Sequence, residues 1–399
     1  MSALALTPTA SGTRLGLFDP ADLPQADEFA ALVAALAPQA DEDMAFVHAA
    51  AAAVAQVPCG LRPGINLFGP GRSPPMTASA TAIAATREIA SVLLNDAAFT
   101  AGSMAVIDRE DRLFTGSLAA IGDPRRLAAV DPAFRCDGSG ALCLASDFRA
   151  EAQHIDAVAL PVCGPGLPNY GHFLFDGLPA IFLQRPLLPG SRVRVVGPRL
   201  LPWQRDILAA LDLADIYLPV SGPVVFRKLL ATTMLSLHVA APTSFLRPMF
   251  DFLRFRFGGP AGVPRRRVFL SRGDTARRVL RNRPAVEAAL TRAGLEIVQP
   301  ARLAFRDQVA LLAGCRTVVG ESGAALANLG FAQPGTRVLE LQPECFDDGW
   351  SRATCFMLGL RWHLFLARAE PPFGADPKQD FAYTVDPDEL VAAVAAVEH

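Results

Sequence analysis

RTVVGESGAALANLGFAQPGTRVLEL, residues 316 to 341, decides the fold. It opens on a short β-branched run (Thr317, Val318, Val319) and breaks at Gly320-Glu321-Ser322-Gly323. It continues as AALANLGF, where Ala324, Leu326 and Phe331 are spaced for one face of a helix. Strand, tight turn and helix start are expected in that order. Pro334-Gly335 stops the helix, and Thr336 to Leu341 reads as the next buried strand. A strand-helix-strand unit of this length is parallel, and open parallel sheets bind ligands at the carboxyl ends of their strands. The glycine-flanked turn aims backbone N–H groups and the positive end of a helix at that edge, which suits a phosphate or another anion.

The same alternation extends on both sides. Arg267 to Ser271 and Leu295 to Val298 read as strands, Pro284 to Ala293 and Phe305 to Ala313 as helices, Trp362 to Leu366 as a strand, and Asp386 to Val397 as a terminal helix. Before Gly258-Gly259-Pro260, which reads as a hinge, Phe245 to Phe257 carries Phe250, Leu253 and Phe257 at helical spacing. Further upstream, His154 to Val162, Arg192 to Val196, Tyr217 to Val220 and Phe226 to Met234 read as strands, with helices at Asn169 to Leu183 and Pro202 to Leu211. Short strands, including Ser103 to Ile107 and Leu127 to Val130, are expected between Ala85 and Ala145. Ala26 to Val57 reads as two helices split at Pro38. The resulting division is a helical extension and linker over 1–84, an α/β domain over 85–260 and a second α/β domain over 261–399, the last two facing a cleft.

With 399 residues, half of them hydrophobic, the chain can build more than one core. No uncharged apolar run is long enough to span a bilayer, and the first twenty residues lack a basic head followed by an apolar block, so no secretory signal is expected. Cys59, Cys136, Cys143, Cys163, Cys315, Cys345 and Cys355 are scattered singly; their odd number and spacing point to reduced thiols rather than a disulfide framework or a zinc site. A net charge of −2 gives no global reason to expect nucleic acid as a partner.

One local concentration of charge stands out. Between Arg265 and Arg283 there are eight arginines against a single acid, Asp274. Arg265, Arg266 and Arg267 precede a strand and read as a solvated basic loop. Arg272, Arg277, Arg278 and Asn282 follow that strand, where a ligand would lie, and guanidinium forks grip phosphate oxygens in pairs of hydrogen bonds. Glu321 would repel a phosphate; a role toward sugar hydroxyls and a role as helix cap both remain open. His172 and Asp176 stand four apart on one helix ridge beside a strand end, and so form a candidate acid–base pair. No Walker or G-x-G-x-x-G fingerprint is present, no D-x-D pair stands at a strand end, and Asp347-Asp348 lies in a polar turn.

The blocks NYGHFLFDGLPAIF, VFLSRGDTARRVLRN, GLEIV and FRDQVALLAGCRTVVGESGAALANLGFAQPGTRVLEL together resemble the catalytic region of glycosyltransferase family 61, as in bacterial capsular-polysaccharide enzymes, over roughly residues 85–366. The resemblance implies a GT-B-like α/β architecture of two Rossmann-like domains, an inverting mechanism, no obligatory metal and no cofactor. The substrates it implies are a nucleotide-sugar donor, UDP-linked, and a glycan acceptor. It also implies synthesis of surface polysaccharide in the cytoplasm or at the inner face of the membrane, with peripheral association through a lipid-linked acceptor.

Carried over by position, Asn169, Tyr170, His172 and Asp176 match the family's Asn-Tyr-x-His-x-x-x-Asp pattern, with Asn169 and Tyr170 on the acceptor side. Ser271, Arg272, Arg277, Arg278 and Asn282 match its Ser-Arg and Arg-Arg-x-x-Asn elements. Gly320, Glu321, Ser322, Gly323 and Asn328 complete the expected donor site. Two departures are visible: Ser322 stands where the family commonly has His, and Arg283 where it often has Glu. On this reading Asp176 or His172 is the base and the arginines with the Gly320–Gly323 turn stabilise the departing diphosphate. A catalytically inactive sugar- or nucleotide-binding protein and a nucleic-acid-binding protein using the arginine cluster are the rival readings.

Overall fold

Most of the runs read as buried strands pair into mainly parallel sheets in the computed structural model. It describes residues 16–18, 46–52, 67–70, 87–114, 116, 123–145, 148–162, 166–184, 193–236, 242, 246–258, 262–273, 276–346, 349–370 and 380–399. Arg192, Asp274, Asp347, Asp348, Cys59, Cys163 and the Pro38 break lie outside these residues. The chain divides into two units, residues 1–52 with 86–239, and residues 53–85 with 240–399. The division therefore falls before the helix over 247–257, not at the Gly/Pro segment after it.

The first strands are β1 (Gly16–Phe18), β2 (Phe46–Ala52), β3 (Leu67–Phe68), which joins the second unit, and β4 (Arg87–Thr100). They are followed by β5 (Val106–Ile107), β6 (Arg112–Phe114), the single helical turn α1 (Leu127–Val130), β7 (Phe134–Cys136) and β8 (Leu142–Leu144). Then come β9 (Gln153–Pro161), helices α2 (Tyr170–His172) and α3 (Leu178–Gln184) joined by a π turn at Phe173–Gly177, β10 (Val193–Gly197), α4 (Pro202–Ala210), β11 (Tyr217–Pro219) and β12 (Pro223–Thr232).

The main sheet runs β1-β6-β5-β4-β12-β9-β10-β11. Strands β12, β9, β10 and β11 are mutually parallel, so residues 161, 197, 219 and 232 end on one edge. Two expectations are corrected here. Residues 46–52, read as helix, form β2 and pair antiparallel with β4 from Phe46↔Leu93 to Ala52↔Arg87, so pairing with a long neighbour overrides the helix propensity of alanine. Leu127–Val130, read as a strand, is one helical turn that buries Leu127 against Ile107, Leu113 and Phe134.

The second unit contains α5 (Arg247–Phe257), β13 (Arg266–Leu270), β14 (Val279–Leu280), α6 (Arg283–Arg292), β15 (Glu296–Val298), α7 (Phe305–Ala313) and β16 (Cys315–Glu321). It continues through β17 (Arg337–Pro343), α8 (Trp350–Leu358), β18 (Arg361–Ala367), β19 (Ala369–Glu370), β20 (Ala382–Tyr383) and α9 (Pro387–Glu398). Its parallel sheet has the order β15-β13-β16-β17-β18-β3. Both faces of β16 are covered from Thr317 to Glu321, five consecutive buried residues. On one face Val286, Leu290, Leu390 and Val394 from α6 and α9 meet Phe269, Val319, Leu339 and Phe365. Elsewhere in the unit the Phe331 ring lies 5.4 Å from Phe250 on α5 and 5.6 Å from Phe305 on α7. The AALANLGF segment is a 3-10 helix over Ala324–Phe331 rather than an α-helix. A Cβ on its Gly330 would run into the Phe250 ring, so the tight winding goes with very close packing. Helix α8, which follows it in the chain, was not foreseen.

His363 on β18 is buried, and burial together with Arg337 and Arg361 holds its pKa below the usual 6.5. The unfolded chain therefore binds that proton more readily than the native one. Stability contributed at neutral pH should fall as pH drops below about 6.5 and level off once the native pKa is passed. Urea unfolding at pH 8 and pH 5.5 should show a smaller acid loss in His363→Gln than in the parent; equal losses would exclude His363 as the cause.

Candidate functional site

At the carboxyl edge of the first unit's sheet, β9 leads through a loop into α2. Asn169 caps that helix, its side chain accepting from the N–H groups of Gly171 at 2.8 Å and His172 at 3.4 Å. Tyr170 is half-buried, with its ring 5.6 Å from Trp203 on α4. Both residues expected on the acceptor side therefore have structural duties, which position the loop. The π turn then buries five consecutive residues, Phe173 to Gly177.

Asp176 lies in that turn, 1% exposed, with its Oδ2 2.8 Å from His172 Nδ1. Its Oδ1 accepts from the Ser236 hydroxyl, which follows the carboxyl end of β12. Opposite an ionised carboxylate, which only accepts, Nδ1 must be the donor, and in the neutral ring Nε2 is then the basic nitrogen. The His172 side chain is 17% exposed against 0% for Asp176. Of the two, the imidazole is the group that a ligand can reach, while the buried carboxylate fixes its orientation. Gly166 supplies the space for the ring, since a Cβ there would lie 2.6 Å from His172 Cγ.

At the carboxyl edge of the second unit's sheet, β13 ends at Leu270, two residues before Arg272, and β16 at Glu321, two residues before Gly323. Glu321 is 1% exposed. It accepts from the Arg272 N–H at 2.9 Å, from both terminal nitrogens of Arg283, and from the Tyr383 hydroxyl at 2.9 Å. Its expected role toward sugar hydroxyls is corrected: the carboxylate is spent inside the fold, and burial beside it drives the Tyr383 hydroxyl pKa well above its ordinary value. Ser322, expected to donate to phosphate, donates at 2.5 Å to Glu340. Glu340 is itself buried and also accepts from Ser351 and, at 2.9 Å, from Trp362 Nε1. Asn282 is a clamp on Val385, donating to its carbonyl at 2.7 Å and accepting from its N–H at 3.3 Å. Asn328 is buried and donates to the Ala325 carbonyl at 3.1 Å. Gly320 packs against Leu326.

The arginine cluster is also redistributed. Arg266 pairs with Glu296 at 2.7 Å, Arg267 with Glu398 at 2.7 Å, Arg281 with Glu370 at 2.7 Å and Arg277 with Asp380 at 3.7 Å. Acids distant in sequence supply the balance that the local stretch lacks. Arg278 adopts a left-handed backbone with φ 55° and places its guanidinium 4.4 Å over the Phe346 ring. Arg272 Nη1 donates to the Ser322 carbonyl at 2.6 Å. Its guanidinium lies flat on Gly323, which has φ 152° and where a Cβ would sit 2.7 Å from Arg272 Cζ. Among the described residues no group of three His, Cys, Asp or Glu side chains could hold a metal ion, and no helix is long and apolar enough to cross a membrane.

Arg272, Arg277 and Arg278 stand beyond the strand ends, Arg277 paired with Asp380, Arg278 stacked on Phe346, and Arg272 set in place by Gly323. Gly323→Ala should displace that guanidinium and raise the dissociation constant for a nucleoside diphosphate about tenfold or more, the scale of a lost charge-assisted hydrogen bond. Calorimetry on a variant with unchanged circular dichroism tests this; parental affinity would show that Arg272 does not hold the diphosphate. Sequence reasoning missed Ser236, Glu340, Tyr383 and Trp203, which carry no local motif, and recorded Arg283 only as a departure from pattern.

Residues 170–339 match the family model Glycosyltransferase 61. The matched span holds the His172–Asp176 pair, the arginines and the Gly320–Gly323 turn. No curated protein matches the chain.

Proposed function

The chain carries a glycosyltransferase family 61 domain and is a glycosyltransferase; from that premise we propose an inverting transfer of sugar from a UDP-linked donor to a glycan hydroxyl. His172 Nε2 takes the acceptor proton as the hydroxyl oxygen attacks the anomeric carbon. The bond from that carbon to the diphosphate oxygen breaks, and the nucleoside diphosphate leaves with the electron pair. Asp176 holds the imidazole tautomer and offsets the positive charge that develops on it. Arg272, Arg277 and Arg278 offset the charge on the leaving group, so that no divalent cation is needed. The observation that carries this reading is the 2.8 Å contact between His172 Nδ1 and a buried Asp176 beyond the carboxyl ends of the parallel strands of the first unit. We assign the donor to the second unit and the base to the first, on a GT-B architecture, in cytoplasmic surface-polysaccharide synthesis on a lipid-linked acceptor.

A panel of nucleotide sugars tested by thermal shift should give one donor, and its free nucleoside diphosphate, that raise Tm. Arg272→Ala should abolish the shift and EDTA should leave it unchanged. A panel without any shift, or an Arg272→Ala variant with the full shift, would overturn the assignment.

A further inference from the structure

The first unit has a second concave feature at its carboxyl edge. Where β10 and β11 end and α4 begins, a cavity of about 520 Å³ is lined by Arg199, Leu200, Arg205, Leu208, Tyr217 and Val220, among others. Its size is that of a small-molecule site. None of its lining residues is acidic. Arg199 follows β10 and Arg205 stands in the first turns of α4; both are exposed and their guanidiniums make no hydrogen bond or ion pair with a described residue. Asp206 and Asp215 are neighbours in sequence, but neither lines the cavity.

The remaining wall is apolar. Leu200, Leu208 and Val220 are buried, and Tyr217 presents a half-buried ring. That ring is fixed: its hydroxyl donates to the Pro198 carbonyl at 2.5 Å, in the gap left by Gly197, where a Cβ would lie 2.7 Å from the Tyr217 oxygen. Two guanidinium forks at the mouth of an apolar, aromatic-walled hollow match a sugar ring with an acidic substituent, because the ring's C–H face packs on the aromatic while the forks take paired oxygens.

Helix α4 connects this hollow to His172. The residues just before Arg205 face the π-turn helix: the Trp203 ring lies 5.3 Å from Phe173, and Gln204, 4% exposed, donates to the Leu167 carbonyl at 2.8 Å while accepting from the Leu201 N–H at 2.7 Å. A ligand gripped by Arg205 is therefore held by the element that fixes the loop carrying the imidazole.

We propose that this cavity is a subsite for an acidic group of the acceptor glycan, a uronate carboxylate or a sugar phosphate. The inference rests on the transfer reading above, which gives the nucleotide to the second unit. The larger hollow in the same unit, about 640 Å³, fits less well: its buried Asp131 would repel an anion and already accepts from the Ser103 N–H and hydroxyl and the Ala133 N–H.

The test is calorimetric titration of the full chain and of the Arg199→Ala/Arg205→Ala double variant. The probes are tetragalacturonate, glucose 1-phosphate, neutral maltotetraose and UDP. At least one acidic probe should bind the parent ten times more tightly than maltotetraose and lose that advantage in the double variant, whose UDP affinity and Tm stay unchanged. Tetragalacturonate alone would identify a uronate, and glucose 1-phosphate alone a phosphosugar. Acidic probes that bind no better than maltotetraose, or equally to both proteins, would overturn the proposal, as would loss of UDP binding in the double variant. UDP binding that depends on Arg272 while neither acid binds would remove this subsite and leave the transfer reading standing.

Discussion

Replacing His172 by glutamine should lower kcat by about 10²–10⁴-fold, the usual worth of a positioned general base, while donor affinity stays unchanged. Glutamine keeps a polar side chain beside Asp176 but has no nitrogen lone pair to accept a proton. Asp176→Asn tests the second half of the arrangement. An asparagine can satisfy Ser236 through its carbonyl, yet its amide can donate to Nδ1 and so favour the tautomer with the proton on Nε2, which cannot act as base. Single-turnover kinetics should therefore show a large loss for both variants, with the nucleotide sugar still bound. Gly166→Ala, which pushes on the ring without altering either partner, should reduce kcat in the same direction. A His172→Gln enzyme turning over within a few fold of the parent would remove the imidazole as base.

Arg283→Met should cost about 3–5 kcal/mol of stability, because breaking one side of a buried ion pair leaves an uncompensated carboxylate. Glu321 is almost wholly buried, and the Arg283 side chain is 14% exposed. With the guanidinium gone, Glu321 keeps only the Tyr383 hydroxyl and the Arg272 N–H. A double replacement of both residues by leucine should recover part of the loss, because no charge is then stranded. Equilibrium urea unfolding of the single and double variants measures both effects. A single-variant loss below about 1 kcal/mol, the scale of an exposed pair, would mean that the carboxylate is hydrated in solution.

The regular parts of this fold were legible because each carries its own local cause. Asp386 accepts from the N–H groups of Asp388 and Glu389 with Pro387 opening α9, and the apolar end of β13 and the β-branched run of β16 suit a sheet covered on both faces. The failures have a common physical origin in partners distant along the chain. Residues 46–52 have the composition of a helix and become a strand through pairing with β4. Within the cluster of eight arginines only Arg272, Arg277 and Arg278 were read as an anion site, and Glu296, Asp380, Glu370, Glu398 and Glu321 meet five of the eight, Arg277 among them, from elsewhere. His172 and Asp176 were found because they stand four positions apart, on one ridge; Ser236, sixty positions downstream of Asp176, leaves no comparable signature.

The π turn at Phe173–Gly177 makes the dyad sensitive to chain length in a way that no point substitution reveals. Such a turn holds one residue more than the α-helix around it, so deleting a single residue between 173 and 177 could restore uninterrupted winding without unfolding the segment. The consequence would be local: the wide turn spends one residue more than an α turn on nearly the same rotation, so the flanking residues would keep their directions, while a deletion between 173 and 175 would leave His172 and Asp176 three apart instead of four.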